Sequence, residues 1–470
     1  MENYKIYIGG TFAETSTTLK VVNPFTGKVF ASTYSAGNEE LELAIQKASA
    51  VKEEMKHLPS HKKYSILMQI ANDIQSDRLH LAHILCLESA KPIRYALAEI
   101  DRAAQSFIIA AEESKRLPKE YISLDWTPAG EGKEGLIKYF PCGIVAGIAP
   151  FNFPLNLAVH KIAPAIAAGC PIILKPASST PLSTLELARI IDKTDLPKGA
   201  VSILPMDRNT GNNLVADDRF KLLSFTGSPA VGWEMKKNAG KKKVVLELGG
   251  NAAVIISSTV DLSSAMSKCV ISAFAYSGQI CIHAQRFFVH ASLFDSFTKS
   301  FLNEVQKIKQ GDPSEQETMI SSMIDEENAQ RVELWVSEAI AGGAKLLTGG
   351  KRKGSFYEPT VLTGTTTSMK VCSEELFGPV VTIEKFDTFE EAVKMVNDSV
   401  FGLQVGVFTN SISESSYAFD HIETGAVIIN EVPTFRMDHM PYGGIKDSGL
   451  GREGIKYAIL DMMESKLLIR

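Results

Sequence analysis

Five apolar runs between Gly143 and Leu246 constrain the fold of this chain more than any other feature. Gly143 to Ile148, Pro171 to Leu174, Val201 to Leu204, Leu222 to Phe225 and Val244 to Leu246 show no polar alternation. A strand with one wet face alternates; a strand buried on both faces does not. Between the runs lie stretches of helical character, Leu155 to Ala168, Pro181 to Asp192 and Pro229 to Ala239. This alternation predicts a parallel sheet covered on both faces by helices. Such sheets bind ligands beyond the carboxyl ends of their strands. The residues that follow the runs are therefore the first candidates for function. A second alternating region opens at Ala252 to Ile256 and extends to about Lys446.

Upstream, Asn38 to His57 keeps a helical apolar stripe, with Asn38 expected to cap its start. Ser60 and Ser76 are expected to cap two further helices ending near Ser89, and Ile93 to Glu113 reads as a fourth. From Tyr121 to Phe140 the pattern changes. Pro128, Gly130 and Gly132 punctuate two short strands, a hairpin projecting from helical surroundings. The last run, Lys466 to Arg470, is expected to pair across a subunit boundary.

A length of 470 residues predicts two or three domains. Apolar content of 45% with 22% charged residues describes an ordinary soluble protein. The net charge of −5 argues against a nucleic-acid or anionic-membrane partner. The best apolar stretch, Ile162 to Leu174, is too short to span a bilayer and carries Pro164 and Pro171. The N-terminus lacks an apolar core and a small-residue cleavage site. The 6 cysteines include no Cys-x-x-Cys pair, which fits a reducing cytoplasm and speaks against a disulfide framework or a metal site.

Chemistry centres on Ser277-Gly278-Gln279-Ile280-Cys281 and, upstream, Leu246-Glu247-Leu248-Gly249-Gly250-Asn251. A thiolate at Cys281 would be a covalent nucleophile. Glu247, at a strand end before two glycines, would sit in a partly apolar place with a raised pKa, suited to a general base. Asn152, between Phe151 and Phe153, would offer an amide N–H to an oxyanion. Each residue also has a plainer reading taken alone. These are a packed cysteine, a charged residue emerging from a strand and a turn asparagine. His283 raises a thiol hydrolase as a rival, yet residues two apart do not face each other on a helix. A binding protein without catalysis is the other rival.

Further blocks occur in sequence: Asn23-Pro24-Phe25-Thr26-Gly27, Pro150-Phe151-Asn152-Phe153-Pro154, Lys175-Pro176-Ala177-Ser178, Phe225-Thr226-Gly227-Ser228, Glu374-Glu375-Leu376-Phe377-Gly378-Pro379 and Pro441-Tyr442-Gly443-Gly444. With the cysteine and glutamate segments, they resemble the aldehyde dehydrogenase superfamily over nearly the whole chain. The resemblance implies two doubly wound α/β domains with parallel sheets plus a small β oligomerisation element. Residues 1–120 and 141–249 would bind the cofactor, 250–446 would be catalytic, and 121–140 with 455–470 would form the oligomerisation element of a homodimer or homotetramer.

The resemblance also implies oxidation of a small aldehyde to its acid with reduction of NAD or NADP. Cys281, Glu247 and Asn152 would be catalytic. Phe151, Lys175, Ser178, Gly227, Ser228, Glu375 and Phe377 would face the cofactor. No Gly-x-Gly-x-x-Gly occurs; Gly227 and Ser228 instead lead into a helix whose free N–H groups can receive a pyrophosphate. Ser228 also reads as a plain helix cap. Ser178 stands where NAD-preferring relatives often carry Glu, so NADP use is expected, alone or beside NAD. Before the Phe225 block, Asp207 to Asn212 departs from the family's glycine-rich stretch. Retention of Glu247 favours hydrolysis over transfer to coenzyme A. The stretches from Asn156 to Ala168 and from Met437 to Gly454 look most similar to lactaldehyde and glyceraldehyde types. A hydroxylated or anionic aldehyde is expected, with His160, Arg436 and His439 as substrate residues. A semialdehyde or glyceraldehyde 3-phosphate is the alternative; relatives acting on the phosphate often carry Arg where Ile280 stands. Asp438 is the expected neutraliser of Arg436 if that loop merely faces solvent.

Overall fold

The computed structural model describes residues 2–470. The predicted parallel strands form the middle of an eight-stranded sheet. Its order is Gly449–Leu450, Lys243–Glu247, Phe220–Thr226, Ile144–Ile148, Ile172–Lys175, Val201–Ile203, Ile6–Tyr7, Phe12–Ala13. The five central strands run parallel. The added edges are antiparallel and come from the two ends of the chain. A second, seven-stranded sheet has the order Lys345–Thr348, Thr360–Thr363, Val380–Phe386, Arg286–His290, Ala253–Ile256, Gln404–Phe408, Ala426–Ile429. It is parallel except at Lys345–Thr348.

The helix Pro154–Ala168 is buried along its whole length. That explains its nearly all-apolar sequence, since a helix wet on one face would show a polar stripe. Asn156, His160 and Lys161 are buried on it as well; His160 and Lys161 find polar partners inside the protein, and the Asn156 amide has none. The helices Asn38–His57, Ser60–Ser76, Arg78–Ser89 and Ile93–Ser114 lie where the periodicity placed them. Their caps differ by one residue. Gly37, Pro59 and Asp77 occupy the cap positions in place of Asn38, Ser60 and Ser76. At Gly37 the reason is visible: the Glu40 carboxylate reaches back to accept the Gly37 N–H at 2.7 Å.

The expected hairpin is present as Lys119–Ser123 against Glu134–Pro141. The terminal strand has a partner within its own chain on one side and forms the edge of its sheet on the other. Met463–Ile469 pairs antiparallel with Glu134–Pro141 of the same chain over seven residues, from Met463 opposite Pro141 to Ile469 opposite Gly135. Helix Ile455–Asp461 delivers it there by burying Ile455 and Ile459 in the core beside Pro154–Ala168. Of the stretch 455–470, the part from Met463 onward therefore joins the hairpin in a three-stranded sheet, while Ile455–Asp461 packs beside Pro154–Ala168. No helix among the described residues is long and apolar enough to cross a membrane.

Candidate active site

The ends of strands Ile144–Ile148, Ile172–Lys175, Phe220–Thr226 and Lys243–Glu247 open into one cleft of about 970 Å³. The cleft is lined by Asn152, Glu247 and Cys281 together, so segments far apart in sequence share one space. Cys281 reaches it through unusual backbone. Tyr276, Ser277 and Gly278 are all left-handed, with φ of 51°, 57° and 68°. For the two non-glycine residues this conformation is disfavoured, so the surroundings must hold it. Tyr276 Oη donates to the Ser89 carbonyl at 3.3 Å, and Ser277 Oγ to the Ser321 carbonyl at 2.8 Å. At Gly278 a Cβ would lie 2.2 Å from the Gly378 carbonyl oxygen, so a side chain is excluded there.

Cys281 Sγ lies 3.1 Å from Tyr442 Oη. Burial pushes the thiol up to about 12, with the Tyr442 hydrogen bond and the Arg436 charge opposing it. Asn152 is buried, and its Nδ2 donates to the Gln279 carbonyl at 3.0 Å. One amide hydrogen is thus used to fix the side chain, and an amide carries two. Glu247 is buried with Oε1 lacking a partner. Burial drives its pKa well above the ordinary carboxylate value, the nearby Glu453 charge adds to this, and Arg436 and Lys161 oppose it.

The expected cofactor residues line the same cleft. Phe151 meets Phe377 edge-on, with ring centroids 5.8 Å apart. Glu375 Oε1 accepts the Gly250 N–H at 3.1 Å, and burial pushes this carboxyl to about 7. A Cβ on Gly249 would lie 2.2 Å from Glu375 Oε2, which accounts for a glycine there. Gly227 and Ser228 precede helix Pro229–Asn238, and Ser228 caps it by backbone position without a side-chain hydrogen bond. Ser178 is exposed on the cleft wall. The unusual segment from Asp207 proves to be a regular helix start: Asp207 Oδ1 accepts the Thr210 N–H at 2.8 Å, and Gly211 faces the stem of Lys175.

His160 and Arg436, two of the expected substrate residues, lie in a buried network of charges. His160 Nε2 lies 2.8 Å from Asp438 Oδ1, and burial lowers the His160 pKa despite that partner. Asp438 also pairs with Arg102, Nη2 to Oδ1 at 2.6 Å. Arg436 is not neutralised by Asp438, as the solvent-loop reading expected. Its Nη2 donates to Glu453 Oε2 at 3.1 Å, and its guanidinium stacks 3.6 Å from the Tyr442 ring centroid. Lys161 Nζ reaches Ser224 Oγ, Thr226 Oγ1 and Glu453 Oε1 at 3.1, 2.8 and 3.3 Å. Burial alone would raise Glu453; Lys161, His160 and Arg436 outweigh it and hold the carboxyl near 2. His439 is exposed and makes none of these contacts. His283 is buried, its pKa is pushed to about 4 by burial, and the hydrogen-bond partner of Sγ is Tyr442 rather than an imidazole.

Glu453 and Arg102 are functional candidates that motif reading passed over, and Tyr442 was noted only as part of a block, without a role. A buried Lys161 was the available signal, because an ammonium inside a helix core demands a carboxylate.

The profile of the Aldehyde dehydrogenase family matches residues 12–468. The chain belongs to the aldehyde dehydrogenase family. A 3-sulfolactaldehyde dehydrogenase from Priestia megaterium is 39% identical over 471 residues, covering 100% of this chain and 98% of that protein. The crystal structure of aldehyde dehydrogenase 21 from Physcomitrella patens, in complex with the reaction product succinate, superposes with a TM-score of 0.99 at 44% identity, covering 100% and 98% of the two chains. Glyceraldehyde-3-phosphate dehydrogenase GapN from Methanocaldococcus jannaschii, complexed with NADP, gives a TM-score of 0.93 at 38% identity, covering 96% and 98%. This aldehyde dehydrogenase is an NAD(P)-dependent oxidoreductase, and its substrate is an aldehyde.

Proposed function

We propose that this aldehyde dehydrogenase oxidises a short aldehyde with an anionic tail to its carboxylic acid, using NADP or NAD. The observation that carries the reading is the placement of Arg436. It stacks on Tyr442, whose hydroxyl touches the Cys281 sulfur, so a cation stands one side chain away from the nucleophile. Arg102, with its side chain 30% exposed, adds a second cation on the far side of Asp438. Two relatives fit an anionic tail: one is named for a sulfonated aldehyde, the other holds a dicarboxylate product. His160 belongs to this subsite as the group that orients Asp438. His439 is left at its rim.

In this reading the Cys281 thiolate attacks the aldehyde carbon and forms a C–S bond. The charge that develops on oxygen meets the second amide hydrogen of Asn152 and the backbone N–H of Cys281, donors fixed before reaction. NAD(P), when bound, supplies the hydride acceptor. Loss of hydride from carbon leaves a thioester on Cys281. Glu247, buried and with a free oxygen, removes a proton from the water that hydrolyses it, and the thiol is restored. Lys175, Ser178, Gly227, Ser228, Glu375, Phe377 and Phe151 would hold the cofactor. The unblocked start of helix Pro229–Asn238 suits a pyrophosphate, and Ser178 offers no charge to repel a 2′-phosphate.

The same proposal divides the chain into a cofactor-binding part (1–120 and 141–249), a catalytic part (250–446) and the three-stranded sheet. That sheet exposes Tyr121, Leu467, Leu468 and Ile469, apolar area suited to a homodimer or homotetramer. Six free cysteines fit a cytoplasmic location. The test is a panel of short aldehydes, neutral and anionic at equal length, followed by reduced-cofactor absorbance with NAD and with NADP. Higher kcat/KM for the anionic members is expected; equal values across the panel would overturn the anionic-tail reading.

A further inference from the structure

Asn152 must be held still to serve as a donor, and the groups that hold it lie on a segment outside the chemistry. Lys91 and Glu99 are both fully buried and form an ion pair where helix Ile93–Ser114 begins. A buried pair is costly unless its remaining hydrogen-bonding capacity is also met. Here the Asn152 loop meets it from both sides. Lys91 Nζ donates to the Asn152 carbonyl at 2.6 Å. Glu99 Oε1 accepts the N–H groups of Leu155 and Asn156, each at 3.1 Å. Those groups belong to the first turn of Pro154–Ala168, where a helix favours an anion.

The same ammonium reaches the cysteine loop. It lies 3.8 Å from the ring centroid of Phe153 and 4.5 Å from that of Tyr276. Phe153 adjoins Asn152. Tyr276 begins the left-handed run that leads to Cys281, and its hydroxyl is tied to Ser89, two residues before Lys91. One cation therefore joins the loop of the oxyanion donor to the loop of the nucleophile.

We propose that the buried Lys91–Glu99 pair is a positioning clamp that fixes Asn152 relative to Cys281. The proposal rests on the reading of Asn152 as the oxyanion donor. The pair touches no substrate and no reacting atom. It acts by fixing the carbonyl and the helix start on either side of the donor, and displacement of a donor by about 1 Å is enough to cost ~100-fold in rate.

The test is a cycle of variants read by the single-turnover rate of reduced-cofactor formation per titrated active site. Lys91→Met and the charge-free Lys91→Met/Glu99→Gln are each made in the native and the Asn152→Ala backgrounds. Lys91→Arg keeps the charge but displaces the donor, and it carries the same comparison should the neutral variants fail to fold. Asn152→Ala alone is expected to slow the step by ~100- to 1000-fold. Each clamp variant is expected to slow it ~10- to 100-fold in the native background, with cofactor Kd and aldehyde KM within about threefold of native. With Asn152 already gone, the same change should cost no more than about threefold, because the clamp then has nothing to aim. Equal fold losses in both backgrounds would overturn the clamp and leave the pair a support of the fold. Near-native turnover of Asn152→Ala would instead remove the oxyanion reading, and the clamp with it.

Discussion

Replacing Tyr442 with Phe removes a single oxygen and leaves the ring beneath Arg436. In the native protein Tyr442 Oη lies 3.1 Å from Cys281 Sγ. Burial holds the phenol pKa well above its ordinary value, so the hydroxyl keeps a proton that it can donate to the Cys281 thiolate. The thiol, pushed up to about 12 by burial, is pulled the other way by this bond. A hydrogen bond to a charged group contributes ~1.5–3 kcal/mol. At about 1.36 kcal/mol for each pKa unit, its loss raises the thiol pKa by ~1–2. The thiolate fraction at neutral pH then falls ~10- to 100-fold. Each remaining thiolate is more nucleophilic, with a Brønsted slope of ~0.4–0.5, and this offsets nearly half of the loss on a logarithmic scale. The net expectation is alkylation of Cys281 by iodoacetamide slowed ~4- to 15-fold at neutral pH. Peptide mass spectrometry must read Cys281 itself, because the other cysteines are also free thiols. An unchanged rate would refute the role of the hydroxyl.

Three further outcomes follow from the site. Glu247 must be ionised to act as a base, and its pKa is raised; kcat should therefore fall as pH drops toward and through that raised pKa, above the ordinary carboxylate range, and a flat profile down to that range would count against it. Ser178→Glu should lower the NADP-to-NAD ratio of kcat/KM by ~10-fold or more, about 1.4 kcal/mol; the ~4 kcal/mol Coulomb value at close range is reduced because Ser178 is exposed. An unchanged ratio would mean that Ser178 does not decide cofactor choice. Arg436→Ala should cost ~2–5 kcal/mol in kcat/KM with an anionic aldehyde and less with a neutral one. Some loss on both is expected because Arg436 also holds Glu453, and equal losses would assign it to Glu453 alone.

Local pattern carried the parts of this protein that local physics decides. Runs buried on both faces read as parallel strands, and the residues just beyond them, Asn152, Lys175, Gly227 and Glu247, line the cleft. Cys281 reaches the same place from the other sheet, which only the family resemblance anticipated. Pairing across long sequence separations was not legible. Arg102 and Asp438 are 336 residues apart, and neither carries a local mark of the other. The alternative of a solvent-facing Arg436 beside Asp438 fails because its partner is Glu453, a pairing that no local pattern marks. The run from Lys466 to Arg470 was legible as a strand, but its pairing with Glu134–Pro141 of the same chain was not, since more than 300 residues separate the two. The left-handed Tyr276 and Ser277 were hidden too: neither is a glycine, and tertiary contacts impose the conformation.

The central claim is a covalent acyl intermediate on Cys281 that Glu247 releases. It is tested most directly in Glu247→Gln, mixed with NAD(P) and the aldehyde that the native enzyme turns over fastest, then quenched and digested. The account predicts one equivalent of reduced cofactor per site, then a stall, with the acyl mass on the peptide that carries Cys281. Reduced cofactor formed without any adduct on that peptide, or steady turnover at the native rate, would contradict it.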